Sequence, residues 1–219
     1  LSADFSEKTY DWDNMTDAEI AQLMSDCGIA VDMDYGLESS GASDDKVVTA
    51  LTSYFGYSHN ISLRRQSETE FQGVDGNTAW IKLLTDELDA ERPVYYAAED
   101  ATPNDDDAHA FVLDGYGTYN NETYFHINWG WDGYDGYGTK ITDNGYFKMN
   151  KFNPRYREEE ETDEYNLNSV AIVGIYPAED DEITFDNLEE GWDDEGNWET
   201  EESYGKGEWA DAVAYYNHP

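Results

Sequence analysis

His109 is the residue best placed to move a proton. It opens the apolar run Ala110-Phe111-Val112-Leu113, directly after the polar segment Pro103 to Ala108. A histidine at the mouth of a strand, beside a loop, is well placed for general-base catalysis. The same position suits a histidine that only caps its strand by hydrogen bonding, and position alone leaves both readings open. Strand pairing suggests a partner. If strands 109–114 and 123–128 pair antiparallel around a loop Gly115 to Glu122, with Asp114 opposite Thr123, then His109 falls opposite Asn128. An asparagine amide oxygen can accept from one imidazole nitrogen and fix the tautomer, leaving the other nitrogen to take a proton. A slip of one residue would turn Asn128 to the other face, and a turn-side polar residue is the plainer reading of it. The segment Asn128-Trp129-Gly130-Trp131 offers an aromatic wall around such a pair, a sugar-stacking platform, or simply core.

The remaining reactive side chains are weaker candidates. Cys27 is the only thiol. It ends an apolar helical face and is expected to pack as a small hydrophobe, with no helix N-terminus or neighbouring base to lower its pKa. His126 alternates with Asn128 along the same strand, while His59 and His218 lie in polar surroundings and read as surface residues. Asp105, Asp106 and Asp107 could supply oxygen ligands, yet no segment has the spacing of a helix-loop-helix calcium loop. No histidine spacing supports a metal, so neither metal nor cofactor is expected.

Three helices and a set of strands must position these groups. Thr16 and Glu19 fit a capping box. Ile20, Leu23, Met24 and Cys27 follow at helical spacing, and Gly28 is expected to stop this first helix. A second helix is expected from Ser43 through Val47, Leu51 and Phe55 to Gly56. A third starts at Asn77 and carries Trp80, Ile81, Leu84 and Leu88, with Pro93 beyond its end. The pattern then changes to strands at Val94–Ala97, His109–Gly115, Thr123–Trp129, Gly145–Asn150 and Ser169–Ile175, separated by Gly, Asn and Asp clusters that favour antiparallel hairpins. Helices first and a strand meander afterwards give an α+β fold. After Pro177 the sequence turns strongly acidic, with Trp192, Trp198 and Trp209. Residues 178–219 therefore read as a tail or the start of another module beside a domain of residues 1–177.

Composition narrows the partners. Fifty acidic residues against 12 basic ones give a formal charge of -38 over 219 residues. Such a chain repels phosphate backbones, which excludes a nucleic-acid reader. No apolar run approaches the roughly 20 residues of a membrane-spanning helix. Aromatics at 15% argue for a folded core rather than a disordered acidic chain. One cysteine excludes an internal disulfide framework. The carboxylate excess reads mainly as a surface adaptation, as in proteins suited to high salt.

A series of motifs resembles the streptopain family of papain-like cysteine peptidases. It includes Tyr10-Asp11-Trp12-Asp13-Asn14-Met15, Cys27-Gly28-Ile29-Ala30-Val31-Asp32-Met33-Asp34-Tyr35-Gly36 and Ser40-Gly41-Ala42. Further on come Arg92-Pro93-Val94-Tyr95-Tyr96, His109-Ala110-Phe111-Val112-Leu113-Asp114-Gly115 and His126-Ile127-Asn128-Trp129-Gly130-Trp131-Asp132-Gly133. Gly145-Tyr146-Phe147, Asn153-Pro154 and Ala171-Ile172-Val173-Gly174-Ile175 complete the series, which covers about residues 9–177. The resemblance implies a papain-like fold, helices followed by an antiparallel sheet or barrel, with its N-terminal part absent. It makes His109 the catalytic histidine, puts Asn128 and Trp129 where that imidazole is positioned, and places Ser39, Ser40 and Gly41 near the loop lining the substrate cleft. Protein or peptide substrates, an inhibitory propeptide and secretion are implied in the same way.

The departures from the family are equally specific. Its nucleophile belongs to a Gly-Cys-x-Ala-like segment upstream of the Tyr-x-Trp motif, and residues 1–219 hold none. Cys27 falls where the family carries an apolar residue. The glycine-rich loop before the histidine is replaced by Pro103-Asn104-Asp105-Asp106-Asp107, and a later one by the charged run Arg155 to Glu164. The expectation is thus the histidine-bearing portion of a cysteine endopeptidase, inactive alone. Its rivals are a pseudopeptidase that has lost its nucleophile and a secreted, aromatic-rich glycan- or protein-binding module using Trp129, Trp131 and the tail tryptophans.

Overall fold

The structure, a computed structural model, describes residues 2–6, 8–37, 39–101, 108–130, 144–154 and 164–178. All belong to a unit spanning Leu1–Asp180. The expectations for Asp105–Asp107, Trp131, the charged run 155–163 and the tail beyond Ala178 lie outside the described residues.

Helix α1 spans Asp17–Ala30 and opens with the capping box read from the sequence. Thr16 Oγ1 accepts from the Glu19 amide, and the Glu19 carboxylate accepts from the Thr16 amide at 2.8 Å. Two expectations about α1 are corrected. Gly28 does not end the helix, which continues to Ala30 with Val31 as its C-cap. A Cβ there would meet the hydroxyl end of the exposed Tyr35 side chain, which would have to turn aside. Nor do Ile20, Met24 and Cys27 form a buried face: Met24 is 69% exposed, and Cys27 is exposed too. The buried residues of α1 are Asp26 and Gly28.

Asp26 explains that reversal. Its carboxylate, fully buried, accepts from Lys8 Nζ at 2.7 Å, Gln22 Nε2 at 2.9 Å and the Tyr10 hydroxyl at 3.1 Å. A buried charge persists only when paired and hydrogen-bonded. These donors, Lys8 foremost, hold the Asp26 pKa below the usual carboxylate range. Burial, and then Asp26, push Tyr10 up to about 12. The pairing ties the N-terminal arm to α1, and Phe5 stacks on Tyr54 to tie the same arm to the next helix.

Helix α2 spans Asp44–Tyr54 after the N-cap Ser43, and α3 spans Gly76–Asp89. Strands β1 (Asp34–Tyr35) and β2 (Ser40–Gly41) form a small hairpin between α1 and α2. The main sheet contains β3 (Ser62–Arg65), β4 (Val94–Asp100), β5 (Ala108–Tyr119), β6 (Glu122–Asn128), β7 (Gly145–Lys148) and β8 (Tyr165–Val173). Its order is β3-β8-β4-β5-β6-β7, with antiparallel pairing throughout. This is the expected mixture of helices and antiparallel sheet, with β3 added.

One face of the sheet carries the core. Val94, Tyr96, Phe111, Leu113, Phe125 and Ile127 point into it at period two, and α3 seals it with Trp80 and Leu84. Tyr95, between two core residues, points to the opposite face, where its hydroxyl donates to Asp44 at the start of α2 at 2.8 Å. Helices α1 and α2 therefore lie across the sheet from α3. A clasp holds the end of α3: Glu87 accepts two bonds from Arg92, at 2.8 and 2.9 Å, and one from the Gly174 amide at 2.9 Å.

The hairpin β5–β6 departs from the expected register. Thr118 pairs with Thr123 and Tyr119 with Glu122, leaving only Asn120 and Asn121 at the turn, both at positive φ. Two such residues form the tight turn that suits strand twist. Gly115 and Gly117 thus belong to the strand, and the ladder shifts between Leu113 and Gly115. Asn128 consequently lies opposite Val112, and His109 lies opposite Ala98 of β4. Among the described residues, no helix is long and apolar enough to cross a membrane.

Candidate active site

His109 projects near the beginning of β5 and is half-buried. Its ring meets three aromatic rings: Tyr165 at 5.6 Å, Phe111 at 6.1 Å and Trp129 at 6.2 Å between centroids, the last nearly parallel at 20°. Nε2 lies 2.8 Å from the Trp129 carbonyl oxygen. A carbonyl can only accept, so Nε2 carries the hydrogen and donates it. In the neutral ring Nδ1 then bears the lone pair. The tautomer a general base needs is fixed by main chain rather than by an asparagine amide.

Asn128 takes a different part from the one expected. Its Oδ1 accepts from the Gly130 amide at 3.0 Å and from Asn144 Nδ2 at 3.4 Å. Asn144 in turn accepts from the Trp129 amide at 3.0 Å. The two asparagines therefore shape the chain around Trp129, with Gly130 at φ 74° completing the bend. Asn144 was not singled out from the sequence; its place next to Gly145, at the start of β7, is the signal that could have marked it. Trp129 is fully buried, against Phe111 at 4.6 Å and Phe147 at 5.3 Å. It cannot serve as a sugar-stacking platform.

His109 is also among the residues lining a cleft of about 810 Å³ between the sheet and the α1–α2 layer. Leu23 and Met24 of α1, its C-cap Val31 and Met33 make one apolar wall, and Ala97, Ala110 and Val170 of the sheet make the other. Ser40 and Gly41 line this cleft; Ser39 belongs to the same hairpin, where its carbonyl accepts from the Gly36 amide at 2.9 Å. Cys27 also faces the cleft, contrary to the packing expected for it. The surrounding protein, and secondarily the negative Asp26, push its thiol pKa up. That is the reverse of what activates a cysteine nucleophile.

The other histidines stand apart. His126 Nδ1 pairs with Asp114 Oδ1 at 2.5 Å, beside the Tyr146 ring, and His59 is exposed. His218 lies outside the described residues. Among the described residues, no cluster of three or more His, Cys, Asp or Glu could hold a metal ion.

Comparisons with known proteins bear on this arrangement. Residues 1–138 match the model of the Peptidase C10 family. The chain is 33% identical over 165 residues to streptopain of Streptococcus pyogenes serotype M28 (strain MGAS6180), an alignment covering 70% of this chain and 36% of that protein. The same identity and coverage hold for streptopain of S. pyogenes serotype M1. The thiol protease/hemagglutinin PrtT of Porphyromonas gingivalis is 32% identical over 189 residues, 81% of this chain and 19% of that protein. The chain spans about a third of the length of the curated streptopains it matches. With well over half its residues inside the family match, and with the ordered motifs around His109 and Trp129, the chain belongs to the Peptidase C10 family.

Proposed function

We propose that residues 1–219 form the histidine-bearing part of a cysteine endopeptidase with a papain-like arrangement, in which His109 is the proton shuttle and the thiol comes from residues outside 1–219. One observation carries this reading: His109 is among the residues lining the cleft, and its Nε2–H is donated to the Trp129 carbonyl at 2.8 Å, the tautomer in which Nδ1 is the basic nitrogen.

The chemistry follows from that tautomer. Nδ1 takes the proton of the thiol, and the thiolate attacks the peptide carbonyl carbon. The imidazolium then gives the proton to the leaving amine as the C–N bond breaks, forming a thioester. In the second half, Nδ1 takes a proton from water, hydroxide attacks the thioester, and the thiol leaves protonated. Trp129, Phe111 and Tyr165 exclude water from three sides of the ring, strengthening its hydrogen bond to the main chain. The apolar cleft, within the roughly 300–1,000 Å³ of ligand sites, leaves room for the thiol-bearing segment or a peptide. Ser40 and Gly41 are proposed to line the path of the substrate, with Ser39 shaping their hairpin. Export and control by an inhibitory propeptide rest on the family resemblance.

The nucleophile's part is assigned elsewhere than Cys27, because the surrounding protein and Asp26 push its thiol pKa up rather than down. Purified 1–219 should therefore not cleave casein. Thiol-dependent turnover by this chain that Cys27→Ser abolishes would overturn the assignment. The glycan-binding reading loses Trp129 to the core, and no observation favours it further.

A further inference from the structure

Among the described residues that line the cleft, the charged side chains other than His109 are acidic. They include Asp44 and Glu99 and no lysine or arginine. Asp44 is engaged by the Tyr95 hydroxyl. Glu99 is exposed, on β4 opposite Ala108, the residue before His109. The β4–β8 pairing shifts register on both sides of Glu99, the kind of irregularity that re-aims a side chain. On β8, Asn168 at φ 49° donates its amide to Glu99 Oε2 at 2.6 Å. The carboxylate is thus held in place at the cleft beside an alanine-lined wall.

We propose that Glu99 makes this cleft select substrates carrying a lysine or arginine side chain near the cleaved bond. The inference rests on the peptidase reading above and gives it a substrate class. The two halves of such a side chain find separate partners. Its methylenes lie along Ala97, Ala110 and Val170, as long cationic side chains do on apolar surface. Its charged head meets the Glu99 carboxylate, to which a guanidinium can donate two parallel bonds. The charge of -38 attracts cationic peptides in general, but Glu99 adds selection at one substrate position.

The test uses the nucleophile-containing protein and quenched peptides in which each residue flanking the cleaved bond is in turn Arg, Met or Glu. Met keeps an unbranched stem without charge. At one position Arg should exceed Glu in kcat/KM by about tenfold, the scale of a partly exposed ion pair gained against a repulsion. Glu99→Gln should reduce that ratio severalfold and Glu99→Arg should invert it. The remote control Asp13→Asn, which removes the same charge from the chain, should leave it in place. The ratio is taken within one preparation, so the folded fraction cancels. Equal cleavage of the Arg and Glu peptides at every position overturns the proposal while the peptidase reading stands, as does a ratio indifferent to Glu99→Gln. Cleavage of none of the peptides overturns both.

Discussion

Replacing His109 by alanine in the nucleophile-containing protein lowers kcat/KM for peptide hydrolysis by about 10²–10⁴-fold, the contribution of a positioned acid–base group. The loss should fall mainly on kcat, because the imidazole works on protons in flight rather than on substrate affinity. Asn128→Ala gives a much smaller loss. An asparagine that oriented the imidazole directly would cost nearly as much as the histidine. Here the orienting acceptor is the Trp129 carbonyl, which survives any side-chain substitution. What Asn128 supplies is an acceptor for the Gly130 amide and a link to Asn144. Equal losses for His109→Ala and Asn128→Ala, measured side by side on one fluorogenic peptide, would contradict this division.

Trp129→Ala carries the largest expected cost in stability, about 3–5 kcal/mol, the range for truncating a buried aromatic. The side chain is fully buried and touches Phe111, Phe147, Tyr165 and the His109 ring. The cavity would lie between the sheet and the segment whose carbonyl holds Nε2, so activity should fall beyond what the folded fraction explains. Urea unfolding of 1–219 measures the first effect as a lower midpoint at unchanged slope. A loss below about 1 kcal/mol would mean that the indole is not the core element described.

The elements were legible in the sequence where local chemistry decides them. Thr16 and Glu19 announce the start of α1, and the apolar runs around Val94, Phe111 and Ile127 announce strands, because both signals act within a few residues. The register of β5–β6 was not legible. Gly115 and Gly117 suggest a loop, yet Asn120 and Asn121 take the two positive-φ positions of a tight turn, and the glycines stay in the strand. Two consequences follow from that single misplacement. His109 moves away from Asn128, and the imidazole's acceptor becomes a main-chain oxygen, which side-chain identity cannot reveal. Helix α1 was misread for a related reason. Its spacing marks Ile20 and Met24 as buried, but the protein buries Asp26, whose partner Lys8 lies 18 positions away. Polar burial satisfied at such a distance leaves no periodic trace. The place of His109 at the head of an apolar strand was legible, and the ordered motifs carried the family.

The identity of the reacting thiol tests the central claim most directly. An epoxysuccinyl peptide, which alkylates an activated cysteine in a peptidase cleft, is incubated with the nucleophile-containing protein, and the adduct is located by peptide mass. The expected result is one adduct on a cysteine outside residues 1–219, formed in the wild type and in Cys27→Ser and lost in His109→Ala. An adduct on Cys27, or labelling indifferent to His109, would contradict the assignment of His109 as the base for a thiol supplied from elsewhere.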